Sequence, residues 1–174
     1  MNNSAEANMD LYSIDKLMHE TRQLAAKYRK TTGSTLPVTG EISRFDVAKA
    51  LDLQLIDDTT LGYDAIGLGE RKGLRMLIKG RVIFEDSRSS PRIGQIKSDG
   101  RWDRVVMVIF NDDYLPVEMH EATSEDIEAA LNTKIESANK KRGAMSVAQF
   151  KIIGRLVWTS EEGLSPEIWD NHNN

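Results

Sequence analysis

With 174 residues, 40% hydrophobic and 29% charged, the chain has the length and composition of one globular domain with a sizeable core. It contains no cysteine, which excludes disulfides and thiolate metal sites and suits a reducing compartment. Its net charge of -4 argues against a general nucleic-acid binder. No apolar run approaches the roughly 20 residues of a membrane span, and MNNSAEANMD lacks the basic and apolar regions of a signal peptide, so a cytoplasmic protein with no membrane partner is expected.

Residues 1–11 are polar and read as a disordered N-terminus, followed by a single domain over 12–170 and a disordered tail over 171–174. Ile14, Leu17, Met18, Thr21, Leu24, Ala25 and Tyr28 fall on one helical stripe, with Ser13 as N-cap and a stop near Thr31-Thr32-Gly33. A second helix is predicted from about Glu41 to Leu53, where the Glu41 carboxylate also suits the positive end of the helix dipole. GYDAIGLGERKGLRMLIKGR then reads as two strands joined at Gly69-Glu70-Arg71-Lys72-Gly73, the second strand running from Leu74 to Phe84.

Glu85 to Asp103 reads as a loop with a short strand near Arg92–Lys97, and a loop of that length is often functional. RVVMVIF, Arg104 to Phe110, is β-branched and apolar enough for a strand buried on both faces. Asn111-Asp112-Asp113 turns the chain into a strand from Tyr114 to Glu121. Ser124 caps a helix that ends past Lys140-Lys141-Arg142 at Gly143, and a last helix is predicted from Ser146 to about Trp158. A short turn should start at Ser165-Pro166-Glu167. Helices, a run of strands and further helices predict an α/β domain with a mixed sheet.

Charge is segregated along this order. Arg71 to Arg104 holds ten bases and four acids, whereas Val105 to Glu136 holds eight acids and one base. Such blocks make a basic face on an acidic protein, or faces that differ by chance. The acidic block could serve a protein partner.

The hairpin carries the chemistry. With the turn centred between Arg71 and Lys72, Asp64 faces Lys79 and Ile66 faces Leu77, and Leu77 shares the face of Lys79. A one-residue slip would separate the two charges onto opposite faces. The pair reads either as a cross-strand ion pair or as half of a metal site, in which a carboxylate binds Mg²⁺ and a lysine orients water or a phosphate. His19, His120 and His172 are scattered without zinc-ligand spacing. GQIKSDGRW repeats a Q-x-K pattern at Gln95 and Lys97, with no strand acid as partner. Trp102 and Trp158 read as packing residues.

Glu41 on a helix, Asp64 on a strand and IKG with Lys79 on the next strand resemble the PD-(D/E)XK nuclease superfamily, which includes type II restriction endonucleases and Holliday-junction resolvases. TGEISRFDVAKALDLQL, GYDAIG, LIKGR and RWDRVVMVIFNDD look like a small bacterial group within it, over about two thirds of the chain. The resemblance implies a restriction-endonuclease-like α-β-β-β-α-β core with a mixed central sheet and extra N- and C-terminal helices. It implies a Mg²⁺-dependent (or Mn²⁺-dependent) DNA endonuclease with Lys79, Asp64 and Glu41 as catalytic residues and Asp64, Glu41 and the carbonyl of Ile78 at the metal. Arg71, Lys72, Arg75, Arg81, Arg88, Arg92 and Lys97 would then hold the DNA.

The pattern departs from the family at Leu77, where Glu, Asp or Gln is expected and the side chain offers no oxygen to Mg²⁺. Glu85 and Glu70 are the substitute acids at hand. The alternative implied is a nuclease-fold subunit without catalysis that serves as a DNA-binding or protein-assembly module in a defence or DNA-processing system. A homodimer and a partner protein are both open by analogy.

Overall fold

The structure, a computed structural model, describes residues 3–97, 99–132 and 144–165, with side chains from Ser13 onward. The Lys140-Lys141-Arg142 cluster, the body of the turn expected after Ser165 and the tail over 171–174 lie outside the described residues. Two helices lead, α1 (Asn3–Thr32) and α2 (Thr39–Leu51). Strands β1 (Leu53–Leu55), β2 (Ala65–Gly67) and β3 (Arg75–Val82) follow, then β4 (Arg92–Ile93), β5 (Arg104–Phe110) and β6 (Pro116–Thr123). The chain continues through α3 (Ser124–Asn132), β7 (Met145–Ser146), α4 (Val147–Ile153), β8 (Arg155–Thr159) and β9 (Gly163–Leu164).

The fold is α/β with a mixed sheet of seven strands in the order β1-β2-β3-β5-β6-β8-β9. Only β3 and β5 pair in parallel; every other neighbour is antiparallel. A parallel pair needs a crossover, and residues 83–103 supply it. Among the described residues of that crossover there is β4, which pairs with β7 in a small second sheet, and no helix.

β5 lies at the middle of the sheet. Val105 to Phe110 are all buried, as a β-branched strand covered on both faces requires. Its two faces feed two cores. Val106, Val108 and Phe110 join Met76, Ile78 and Val82 of β3 and Ile42, Val47 and Leu51 of α2. Val105, Met107 and Ile109 join Ile127 of α3, Phe150 of α4, and Ile93, Ile96 and Trp102 of the crossover. Gly80 sets how closely α2 sits: a Cβ there would lie 1.7 Å from Ser43 Oγ, so the glycine of IKG makes room for the helix.

Three expectations need correction. First, α1 starts at Asn3 rather than Ser13, and its docked face keeps only Met18 and Ala25 of the predicted stripe. Ala25 and Ala26 are buried, but Leu17 and Leu24 are 56% and 61% exposed. A buried ion pair sets the helix rotation. Arg22 grips Asp46 of α2 (Nη1 to Oδ2 2.6 Å) and the carbonyl of Tyr114 at 2.8 Å, and two groups that cannot be left unpaired inside override the apolar pattern.

Second, the last helix ends at Ile153, and Arg155–Thr159 is a strand. Gly154 lies so close to Phe150 and the Glu121 carbonyl that a Cβ would stand 2.9 Å from Phe150 O. The chain turns there, and β8 pairs with β6. Third, Tyr114 is not strand. It is a fully buried turn residue at φ +59°, and β6 begins at Pro116.

Candidate functional site

β2 and β3 form the predicted hairpin in a different register. Ala65 pairs with Met76 and Ile66 with Arg75, so the turn centres between Glu70 and Arg71, one residue earlier than predicted. The N–H of Asp64 also donates to Met76 O at 2.8 Å. Two residues of one strand therefore meet Met76, as at a β-bulge, and a bulge re-aims the side chain. Asp64 does not stand opposite Lys79. Its carboxylate reaches past the end of β2 instead, and Oδ2 accepts the Ile78 N–H at 2.7 Å. The side chain thus takes over the acceptor role that β2 no longer fills. Oδ1 accepts from Arg44 at 3.3 Å, and Arg44 is braced on the Ile56 carbonyl at 2.7 Å.

Side chains alternate along β3. Met76, Ile78 and Val82 enter the core under α2, and the odd positions leave the other face, where Leu77 packs against the second core. Lys79 shares that face and is half-buried. Burial pushes its amine below the usual lysine range. The nearby Asp64 carboxylate opposes that shift, and Lys97 reinforces it. Asp64 and Lys79 are thus electrostatic neighbours despite the changed register.

The two line a half-open pocket of about 360 Å³ together with Leu77. The other walls come from the turn at Thr59–Leu61 with Tyr63, and from Gln95, Lys97, Asp99 and Arg101 of the crossover. Local sequence explains that second wall. Ile93 and Ile96 are buried anchors, and Trp102, itself buried, donates its indole N–H to Lys97 O at 2.8 Å. Gln95 and Lys97 flank Ile96 and are left facing out. The unpartnered Q-x-K pattern therefore arrives beside Asp64 and Lys79.

The remaining predicted residues separate into groups. Glu41 is exposed in the first turn of α2 and does not line the pocket; the α2 residue that reaches Asp64 is Arg44, three positions on. Glu85 and Glu70 are exposed and also stay outside it. Arg71 pairs with the buried Glu121 at 2.7 Å, and Arg104 closes on the same carboxylate. Burial pushes the Glu121 carboxyl up, and the hydrogen bonds from Arg104 and Arg71 more than offset this, holding it below the ordinary range. Arg75 makes a forked contact with Asp103, at 3.1 and 2.8 Å. Lys72, Arg81, Arg88 and Arg92 are exposed and do not line the pocket.

A larger cavity, about 720 Å³, opens between the C-terminus of α2, the Leu68–Arg71 turn and β8–β9. It is lined by Asp52, Glu70, Arg71 and Arg155 but by neither Asp64 nor Lys79, and Arg71 is tied to Glu121. The half-buried Lys79, its amine shifted by burial beside the Asp64 carboxylate, marks the smaller pocket as the site.

The donor set does not fit a resident Mg²⁺ as the resemblance implies it. Both Asp64 oxygens already accept hydrogen bonds, Leu77 has no oxygen, and Glu41 is elsewhere. Among the described residues no three His, Cys, Asp or Glu side chains gather where they could hold a metal ion. The arrangement instead places two ammonium groups, a guanidinium and an amide around a space open to solvent; of the two carboxylates in the same lining, Asp64 is held by Arg44 and Asp99 by Arg101, so the lysines and the amide have the chemistry of an oxyanion site.

Sequence reasoning missed Arg44, Tyr63, Thr59, Thr60 and Arg101. Gly62, at φ +85°, marked the turn before Asp64, but nothing in the chain signalled that Arg101 would lie against it. Compared with models of known protein families the chain matches none, and a comparison with curated proteins finds no match.

Proposed function

We propose that this protein binds nucleic acid, DNA in the first instance, by holding phosphate in the pocket between Asp64 and Lys97. The α2-β1-β2-β3 order and the IKG strand are what the resemblance to the restriction-endonuclease-like core implies, whereas the helix that core carries after its third strand has no counterpart among the described residues of the β3–β5 crossover. The observation that carries the reading is the convergence of Lys79 and Lys97, from separate segments, on one pocket with Gln95. Such cations neutralise phosphate and release counterions, so affinity falls with salt by about 0.7–0.9 log units per log unit for each phosphate held. Asp64 fixes the strand end and favours the charged form of Lys79 against burial, so its work here is positional.

The test is fluorescence anisotropy with single- and double-stranded DNA from low to moderate salt. Wild type should bind with a negative salt slope, and Lys79→Ala and Lys97→Ala should weaken binding and flatten that slope. Absence of binding at low salt would sink the proposal.

A second reading is Mg²⁺- or Mn²⁺-dependent phosphodiester hydrolysis. It is favoured by one observation, that Asp64 and Lys79 share the pocket even though the hairpin register differs from the expected one. Plasmid and single-stranded DNA incubated with either metal separate the readings. Cleavage by wild type that Asp64→Asn and Lys79→Ala abolish supports the enzyme. Binding without cleavage supports a module that holds DNA for a partner or a second copy.

A further inference from the structure

The pocket is small, strapped on one side, and supplied with more positive charge than one backbone phosphate needs. We infer that it takes a phosphate monoester, the terminal phosphate of a nucleic-acid strand, rather than the unbroken phosphodiester backbone. This rests on the nucleic-acid reading above and narrows its ligand.

Cation supply is the first argument. A continuous strand needs free cations spaced along a track, one near each phosphate. Lys72, Arg81, Arg88 and Arg92 are exposed but stand outside the pocket, and the other arginines flanking the hairpin are paired. Arg71 and Arg104 are drawn onto Glu121 and Arg75 onto Asp103. Within the pocket Lys79 stands on the floor strand and Lys97 on the crossover wall, while Arg101 on that wall is paired with Asp99 at 3.5 Å and Asp64 with Arg44 at 3.3 Å, so the two lysines are the cations that converge.

Shape is the second. Arg101 spans the two walls. Its Nη1 donates to Thr60 O at 3.3 Å, and its aliphatic stem lies against Gly62, where a Cβ would stand 2.5 Å from Cδ. A strand passing through must displace this strap; a strand end entering from the open side need not. A volume of about 360 Å³ is near the lower end of small-ligand sites, roughly 300–1,000 Å³, and far from a duplex groove.

Charge is the third. A terminal phosphate carries about -1.5 to -2 and three acceptor oxygens, whereas a diester carries one charge and two free oxygens. Lys97 lies near enough to Lys79 to disfavour the charge there, and Gln95 adds an amide donor. A dianion between them offsets that repulsion more fully than a monoanion does.

The experiment uses the full chain and one short single-stranded DNA, labelled internally, in three forms: 5′-phosphate, 3′-phosphate, and hydroxyl at both ends. A nucleoside monophosphate is the unlabelled competitor. One phosphorylated form should bind about tenfold or more tighter than the hydroxyl form, the size of one or two charge-assisted hydrogen bonds. In Lys97→Ala, an exposed position that should fold normally, and in Lys79→Met, the preference should shrink to within about twofold, with the melting temperature checked in parallel. A competitor that displaces as well as the phosphorylated strand still supports the monoester pocket and assigns its source as free nucleotide. Weaker competition assigns the strand end. Equal affinity for all three forms overturns the inference and leaves the nucleic-acid reading standing. No binding of any form, competitor included, overturns both.

Discussion

Replacing Asp64 by alanine and by asparagine separates what its carboxylate builds from what it does. In Asp64→Ala the N–H of the buried Ile78 loses the carboxylate that accepts it, and an unsatisfied donor of this kind costs about 1–3 kcal/mol. Arg44 keeps the Ile56 carbonyl but loses its anion, with side-chain exposures of 17% for Arg44 and 21% for Asp64, which adds about 1 kcal/mol. The total is about 2–4 kcal/mol. For a chain of this length that lowers the melting temperature by about 5–15 °C. Asparagine keeps an oxygen for Ile78 and loses only the charge assistance, about 1 kcal/mol. Thermal unfolding by far-UV circular dichroism, run beside the DNA-binding assay, reads both. An alanine variant that melts within about 2 °C of wild type would refute the structural role given to Asp64. The practical consequence is that loss of function in Asp64→Ala alone says nothing about chemistry, whereas loss in a stable Asp64→Asn does.

Glu121→Ala leaves Arg71 and Arg104 facing each other without an anion, and breaking a buried charge cluster costs about 3–5 kcal/mol; urea unfolding should show it. The Glu121 carboxyl sits below its ordinary range in the folded state, so the unfolded chain binds more protons there. Its stabilisation is complete above the ordinary carboxylate value and is lost as pH falls through the lowered one, a slope that Glu121→Gln should flatten. For Lys79 the sign is the reverse of a paired lysine: its folded value lies below 10.5, the unfolded chain holds the proton longer, and stability rises with pH across that window. Lys79→Met should remove this alkaline rise, leave stability at neutral pH equal or higher, and weaken DNA binding; binding as tight as wild type would exclude Lys79 from the site. Gly80→Ala should destabilise by about 1–3 kcal/mol through its clash with Ser43, and Ser43→Gly in the same chain should recover most of that loss.

The parts of the fold with strong local signals were legible. β5 follows from an uninterrupted β-branched run, α2 from its spacing, and the β2–β3 hairpin from its glycines. What local pattern could not supply was any rotation, register or pairing decided by distant residues. The stripe of α1 yielded to an ion pair with Asp46, because Leu24 in water costs less than a buried Arg22 without its partner. The helix predicted through Trp158 yielded to the free edge of β6, which needed a strand, and Arg155–Thr159 supplies β-prone residues at that edge.

The site divides in the same way. Asp64 and Lys79 lie close in sequence, so a hairpin brings them to one pocket even with the turn misplaced by one residue. Gln95 and Lys97 were visible as a pattern with no partner, and the crossover that supplies the partner is set by where Ile93, Ile96 and Trp102 bury themselves. Arg101 had no local signature, since its place depends on Gly62 forty residues earlier. Leu77 then acquires a physical account. A carboxylate there would stand among Lys79, Asp64 and the second core, where it would need a cation and would draw Lys79 or Lys97 into an ion pair. The hydrocarbon packs instead and leaves both ammonium groups free for a ligand anion. The same substitution that removes an oxygen from a metal site thus preserves the charge of a phosphate site, and Leu77→Glu should weaken phosphate-dependent DNA binding rather than strengthen it.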